Sequence, residues 1–94
     1  MKLSIYKYEI IEERDGLCAP VIVPKGAQLL DVQTQRSTFQ LWALVDLGQE
    51  ERESWQFRIL GTGQHFDTDQ GSLGTHVKTV QTNNGLFVWH VFKV

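Results

Sequence analysis

The feature that most constrains this chain is the alternation of apolar and polar residues over short stretches. This alternation has a period of two, and no stretch shows the longer period of a helix. In residues 28–35, Leu30, Val32 and Thr34 share one face opposite polar residues. In residues 38–46, every second residue from Phe39 to Val45 is apolar. A period of two places successive side chains on opposite faces of a β-strand. No stretch of about twelve residues shows the spacing of three and four that an amphipathic helix needs. The sequence therefore predicts an all-β domain.

Turn residues divide this pattern into about seven short strands, which favours a small antiparallel β-sandwich or barrel. Pro20 and Pro24 flank the second strand and predict an edge position, because proline cannot donate a hydrogen bond to a neighbouring strand. Asn84-Gly85 favours a type I′ hairpin turn. Residues 47–54 and 64–71 are predicted to be loops. The predicted strands are residues 2–11, 19–23, 28–35, 38–46, 55–59, 74–82 and 86–94.

Composition limits the classes of function that the chain can serve. Its 94 residues suit one domain, residues 1–94, and the 41% hydrophobic content is enough for one core. A net charge of −2 without any basic run argues against nucleic-acid binding by bulk charge. Cys18 is the only cysteine, which excludes an intrachain disulfide. No secretory signal or membrane-spanning run is recognisable, so we expect a cytoplasmic protein that does not enter membranes.

The polar residues give little support for catalysis or metal binding. The three histidines, His65, His76 and His90, lack the close spacing of a zinc site. Nucleophilic catalysis needs a nucleophile beside a base that a third group orients, and the sequence offers only isolated serine, threonine and histidine residues. We therefore expect no enzyme activity, no metal and no cofactor.

The glycine-flanked segment between Gly61 and Thr75 is the candidate ligand-binding loop. Glycines let backbone N–H groups converge on an anion, and threonine hydroxyls add donors. Arg58 or Lys78 would neutralise the ligand's charge. The alternative is that these glycines only mark ordinary turns. The candidate binding residues are Arg58, Gly61, Thr62, Gly63, His65, Thr75 and Lys78.

Two predicted strands, residues 38–46 and 86–94, are apolar on both faces. Either both are central in their sheets, or one of them meets another subunit. The second alternative predicts a homo-oligomer, since exposed aromatic residues characterise the centres of interfaces. The candidate interface residues are Trp42, Phe87, Trp89 and Val91.

Motifs spread over nearly the whole chain carry a family resemblance. They are Ile5-Tyr6-Lys7-Tyr8, Pro24-Lys25-Gly26-Ala27, Val32-Gln33, Leu41-Trp42-Ala43-Leu44-Val45-Asp46, Arg58-Ile59-Leu60-Gly61-Thr62-Gly63 and Leu86-Phe87-Val88-Trp89-His90-Val91-Phe92. With these motifs the chain resembles a family of small uncharacterised phage and prophage proteins. In that family a histidine directly follows Gly-Thr-Gly, whereas Gln64 precedes His65 here.

The resemblance implies an accessory protein in the cytoplasm of an infected or lysogenic cell. Such a protein is expected to bind a host or defence component, with a counter-defence role, and not to catalyse a reaction. The alternative is a domain that sequesters a nucleotide or another small anionic ligand with the 61–75 loop. The two readings differ in whether the partner is a protein or a small molecule.

Overall fold

The computed structural model describes all 94 residues and confirms the all-β class, with antiparallel pairing throughout. No helix of the protein is long and apolar enough to span a bilayer. Ten strands form three sheets, and one short 3-10 turn covers Thr68–Gln70. The strands are β1 Leu3–Ile10, β2 Glu12–Arg14, β3 Leu17–Cys18, β4 Val21–Pro24, β5 Gln28–Gln35, β6 Thr38–Asp46, β7 Arg52–Trp55, β8 Phe57–Gly61, β9 Thr75–Thr82 and β10 Phe87–Lys93.

The two strands with apolar residues on both faces are central in their sheets. β6 lies between β1 and β5 in a three-stranded sheet, and β10 lies between β8 and β9 in a five-stranded sheet of order β2-β3-β8-β10-β9. Leu41 on β6 and Val91 on β10 are fully buried. The apolar content of both strands is therefore explained within one chain, by their central positions.

The predicted loop 47–54 was partly wrong, because Arg52–Trp55 forms a strand. β7 pairs with β4 in a small separate sheet, where Val21 lies opposite Trp55 and Pro24 lies opposite Arg52. Trp55 is 4% exposed, so its burial in the core draws this charged segment into extended pairing. β4 has β7 as its only paired neighbour, which confirms the edge position predicted from the prolines.

One other predicted strand differs from the structure, whereas the predicted Asn-Gly turn agrees with it. The predicted strand 55–59 is divided at Gln56, whose side-chain amide donates a hydrogen bond to the Cys18 carbonyl oxygen at 3.3 Å. The β9–β10 turn has positive φ at Asn83, Asn84 and Gly85, and the Leu86 N–H donates to the Asn83 carbonyl oxygen at 3.1 Å. Asn84-Gly85 therefore has the positive φ angles predicted for this turn.

The core consists of twelve buried residues contributed by all three sheets. Phe57 is the largest fully buried side chain. At one side, Lys78 on β9 forms a salt bridge of 3.0 Å with Asp31 on β5, which joins the edges of the two larger sheets. The core residues are Ile10, Cys18, Val21, Val23, Val32, Leu41, Ala43, Val45, Trp55, Phe57, Ile59 and Val91.

Candidate functional site

A continuous row of side chains crosses all five strands of the larger sheet on the face that points away from the core. The strand register gives the order of the residues in this row, each directly opposite the next on the neighbouring strand. The order is Arg14, Leu17, Arg58, Phe92 and His76. Directly opposed residues on adjacent strands lie on the same face, and strands are spaced by about 4.8 Å. Two arginines therefore stand two strands apart on one surface, which we call the outer face.

A two-residue hairpin turn places Arg14 and Asp15 at one end of this row. Asp15 and Gly16 both have positive φ, at 50° and 84°, as a type I′ turn requires. The Gly16 N–H donates to a Glu12 carboxylate oxygen at 2.7 Å, and the Gly16 carbonyl accepts from the Ile59 N–H at 2.8 Å. The hairpin is thereby fixed against β8.

Arg58 is a buried charge without a charged partner. Only 5% of its surface is exposed, its Nε has no hydrogen-bond partner, and it takes part in neither salt bridge of the protein. Its guanidinium carbon lies 4.6 Å from the centroid of the Phe66 ring. Buried polar groups are normally satisfied, so the buried Nε without a partner requires an explanation.

The Arg58 guanidinium borders a cleft of about 280 Å³, which we call the Arg58 cleft. Leu17 and Arg58 come from the sheet, Arg14 and Asp15 come from the hairpin, and Gln70 comes from the 3-10 turn. The Asp15 carboxylate shares this cleft with two arginines, yet it forms a salt bridge with neither. Charges of both signs are thus held apart around one small space.

A hydrogen-bonded chain of histidines and threonines lies beside the Arg58 cleft on the outer face. The Thr62 hydroxyl lies 2.7 Å from His90 Nε2, and the Thr79 hydroxyl lies 3.1 Å from His90 Nδ1. His76 Nε2 lies 2.9 Å from the same Thr79 hydroxyl. No group of three or more metal-ligating side chains is present in the protein. The threonine hydroxyls therefore orient the His76 and His90 imidazoles.

The structure separates the predicted loop residues into different surroundings. Gly61 and Thr62 border a second cleft of about 470 Å³, which we call the Trp89 cleft. Gly63, His65 and Thr75 are exposed and line neither cleft. The remaining lining residues of the Trp89 cleft are Gln64, Leu86, Phe87, Val88 and Trp89.

Lys78 does not lie with the loop residues. Its ammonium group is paired with Asp31 on β5, and its side chain shares a face with the buried Val80. Of the two cations predicted to neutralise a ligand, only Arg58 is unpaired and borders a cleft.

The predicted interface residues also differ in their accessibility. Phe87 is 48% exposed, whereas Val91 is fully buried and has no surface to offer a partner. Trp89 is half-buried and packs edge-to-face on Phe39 with ring centroids 6.3 Å apart. Trp42 is half-buried on the solvent side of the three-stranded sheet. These residues do not form one patch.

Sequence reasoning missed Arg14, Asp15 and Gln70 as cleft residues. The polar residues 12–16, which end in Asp15-Gly16, do predict a turn at this place. They could not have identified the neighbour, because the pairing of Leu17 with Arg58 joins segments about forty residues apart.

Cys18 shows no features of a reactive site. It is fully buried, and burial, followed by the nearby Glu12 carboxylate, raises the pKa of its thiol to about 12. A thiol with so high a pKa is a poor nucleophile at neutral pH.

One family comparison covers the whole chain. A family described as a domain of unknown function, DUF7352, matches residues 1–94. The chain belongs to the DUF7352 family. No curated protein and no solved structure matches it. Membership in DUF7352 assigns no activity, so a function has to be argued from the site itself.

Proposed function

We propose that this DUF7352 domain binds a small anionic ligand in the Arg58 cleft and acts by binding, without catalysis. The supporting observation is Arg58, a residue that is only 5% exposed, forms no salt bridge and has a buried Nε without a hydrogen-bond partner. A ligand anion in the cleft would give Arg58 the charged partner that the protein does not supply.

The energetics of burial favour this proposal over a purely structural role for Arg58. Burying an unpaired charge costs several kcal/mol as an order of magnitude, and a hydrophobic side chain of similar volume would avoid that cost. The Phe66 ring offsets only part of it, since a cation–π contact contributes about 0.5–2 kcal/mol. A planar guanidinium that binds a carboxylate or phosphate with two parallel hydrogen bonds explains why arginine stands there.

The cleft dimensions limit what can be enclosed. Its volume of about 280 Å³ is at the lower end of ligand pockets, which usually span about 300–1,000 Å³. A whole nucleotide would extend out of the cleft, with only its anionic end inside. We therefore propose that the cleft encloses either a small anionic molecule or the anionic group of a larger one.

The proposal extends to the biological setting implied by the sequence resemblance. We propose a phage or prophage accessory protein of the host cytoplasm that sequesters its ligand. Sequestration needs no catalytic group, and no serine, threonine, cysteine or histidine lines the Arg58 cleft.

A second candidate function is contact with a host or defence protein at the Trp89 cleft. Leu86 is 74% exposed and Phe87 is 48% exposed beside this cleft of about 470 Å³. Exposed aromatic and aliphatic side chains around a concave surface are typical of protein contacts. Loss of partner capture in a Phe87→Ser variant, with retention in Arg58→Gln, would favour this candidate.

Thermal unfolding with a panel of anions tests the first proposal. Acetate, glutarate, phosphate and AMP are added separately to the wild type, to Arg58→Gln and to Arg36→Gln. Arg36 is the control because it borders a different polar cleft with Lys7. Binding in the Arg58 cleft predicts a rise in Tm that Arg58→Gln abolishes and Arg36→Gln retains. Loss in Arg36→Gln alone, or no rise with any anion, overturns the proposal.

A further inference from the structure

We infer that the Arg58 cleft is suited to an acidic α-amino acid, with its two carboxylates on the arginines and its ammonium on Asp15. This inference rests on the proposed anion-binding function and names the chemical class of the ligand. It follows from the charges that border the cleft: two guanidinium groups, Arg14 and Arg58, and one carboxylate, Asp15.

The position of Asp15 in the hairpin turn leaves its carboxylate available to pair with a cationic group of a ligand. Asp15 occupies a type I′ turn whose Gly16 is held by hydrogen bonds from both sides, to Glu12 and Ile59. The backbone of the turn is therefore fixed, and the Asp15 carboxylate forms no salt bridge. A ligand that carries both signs of charge would satisfy groups that the protein itself leaves apart.

The same carboxylate disfavours other anions. A phosphate dianion or a polyphosphate would be repelled by the Asp15 carboxylate. A dicarboxylate without an amine would leave Asp15 without a cation. An acidic α-amino acid matches each of the three charged groups with one of opposite sign.

The available space agrees with this class of ligand. A cleft of about 280 Å³ accommodates a molecule the size of glutamate or aspartate. Gln70, at the opposite side of the cleft on the 3-10 turn, carries an amide that can both donate to a carboxylate and accept from an ammonium.

Calorimetric titration with L-glutamate, glutarate and L-alanine tests this inference on the wild type, Asp15→Asn and Glu13→Gln. Asparagine tolerates positive φ, so Asp15→Asn keeps the turn while removing the charge. Glu13 is the control, being an exposed acid of the same hairpin that does not border the Arg58 cleft. Glutamate should bind the wild type and Glu13→Gln most tightly, and Asp15→Asn should weaken it by about tenfold or more without weakening glutarate.

The outcomes separate this inference from the proposed function. Equal binding of glutamate and glutarate, or the same glutamate affinity in Asp15→Asn as in wild type, overturns the inference and leaves anion binding intact. Tighter binding of phosphate than of glutamate also overturns the inference and leaves anion binding intact. Failure of every anion to bind overturns both, because it removes the function on which the inference rests.

Discussion

The Arg58 guanidinium lies against the Phe66 ring, with its carbon 4.6 Å from the ring centroid, while its Nε has no hydrogen-bond partner. The contact joins β8 to the segment between β8 and β9. It covers the arginine without supplying an acceptor. Protein groups thus hold the guanidinium in place and supply no acid to pair with it.

Replacing Arg58 with methionine should stabilise the domain while removing ligand binding. Methionine retains much of the apolar contact and eliminates a buried unpaired charge, so we expect the free energy of unfolding to rise by about 1–2 kcal/mol. Urea denaturation measures the change. The control Arg52→Met removes a side chain that donates to the carbonyl oxygens of Gln49, Glu50 and Glu51 and should not stabilise. Strong destabilisation by Arg58→Met would indicate a structural role for the arginine.

Gly16→Ala should be far more destabilising than Gly26→Ala. Both glycines have positive φ, 84° and 83°, which costs an L-residue about 1–2 kcal/mol. A Cβ at Gly16 would also overlap the Ile59 carbonyl oxygen, whereas a Cβ at Gly26 would have open space. Chemical denaturation of both variants gives the comparison, and equal losses would show that the hairpin is not held against β8 as described.

Cys18 should resist thiol reagents in the folded protein. Burial raises the pKa of its thiol to about 12, so the thiolate is scarce at pH 8. Labelling should require unfolding in urea. The thiol also links stability to pH: its contribution is present below the unfolded pKa near 8.5 and is lost as pH rises towards about 12. Rapid labelling without denaturant, or a Cys18→Ala variant with unchanged stability loss above pH 9, would contradict this.

The Asp31–Lys78 salt bridge should make stability depend on pH in acid. Partial burial acts to raise the pKa of the Asp31 carboxyl, but hydrogen bonds from Lys78, Gln33 and the Val32 N–H outweigh it and lower that pKa. A lowered folded pKa contributes stability above the unfolded value of about 4 and loses it as pH falls through the folded value.

Comparison with Asp31→Asn tests this contribution. The variant should lose less stability than wild type between about pH 4 and pH 2, and the difference should be small because both partners are more than a third exposed. Glu9→Gln, which removes an exposed acid outside both salt bridges, should follow the wild type. Parallel acid profiles of Asp31→Asn and wild type would contradict the role assigned to this pair.

The sequence predicted the fold class and several strands closely, because alternation is a local signal. Residues 28–35 and 38–46 were predicted with the bounds that β5 and β6 have. β7 was missed because Arg52-Glu53-Ser54 lacks apolar alternation, and only its pairing with β4 makes it a strand. Strand assignment fails where tertiary pairing overrides local pattern.

The candidate site was predicted only in part, since it is made by pairing between distant segments. Arg58 was singled out as a cation that would meet a ligand, and it borders a cleft. Its cleft neighbours Arg14 and Asp15 lie on a hairpin whose register against β8 no local pattern specifies. Lys78 was grouped with Arg58 by sequence proximity to the loop, whereas β9 directs it towards Asp31 instead.

NMR observation of the Arg58 side chain tests the central claim most directly. The guanidinium N–H resonances are recorded while L-glutamate or another carboxylate is added, with assignment from the Arg58→Lys variant. The account predicts that the Arg58 resonances and the backbone amides of Arg14, Asp15 and Gln70 shift together and saturate at one ligand per chain. An unchanged Arg58 signal, with shifts confined to the Lys7 and Arg36 region or to the Trp89 cleft, would contradict it.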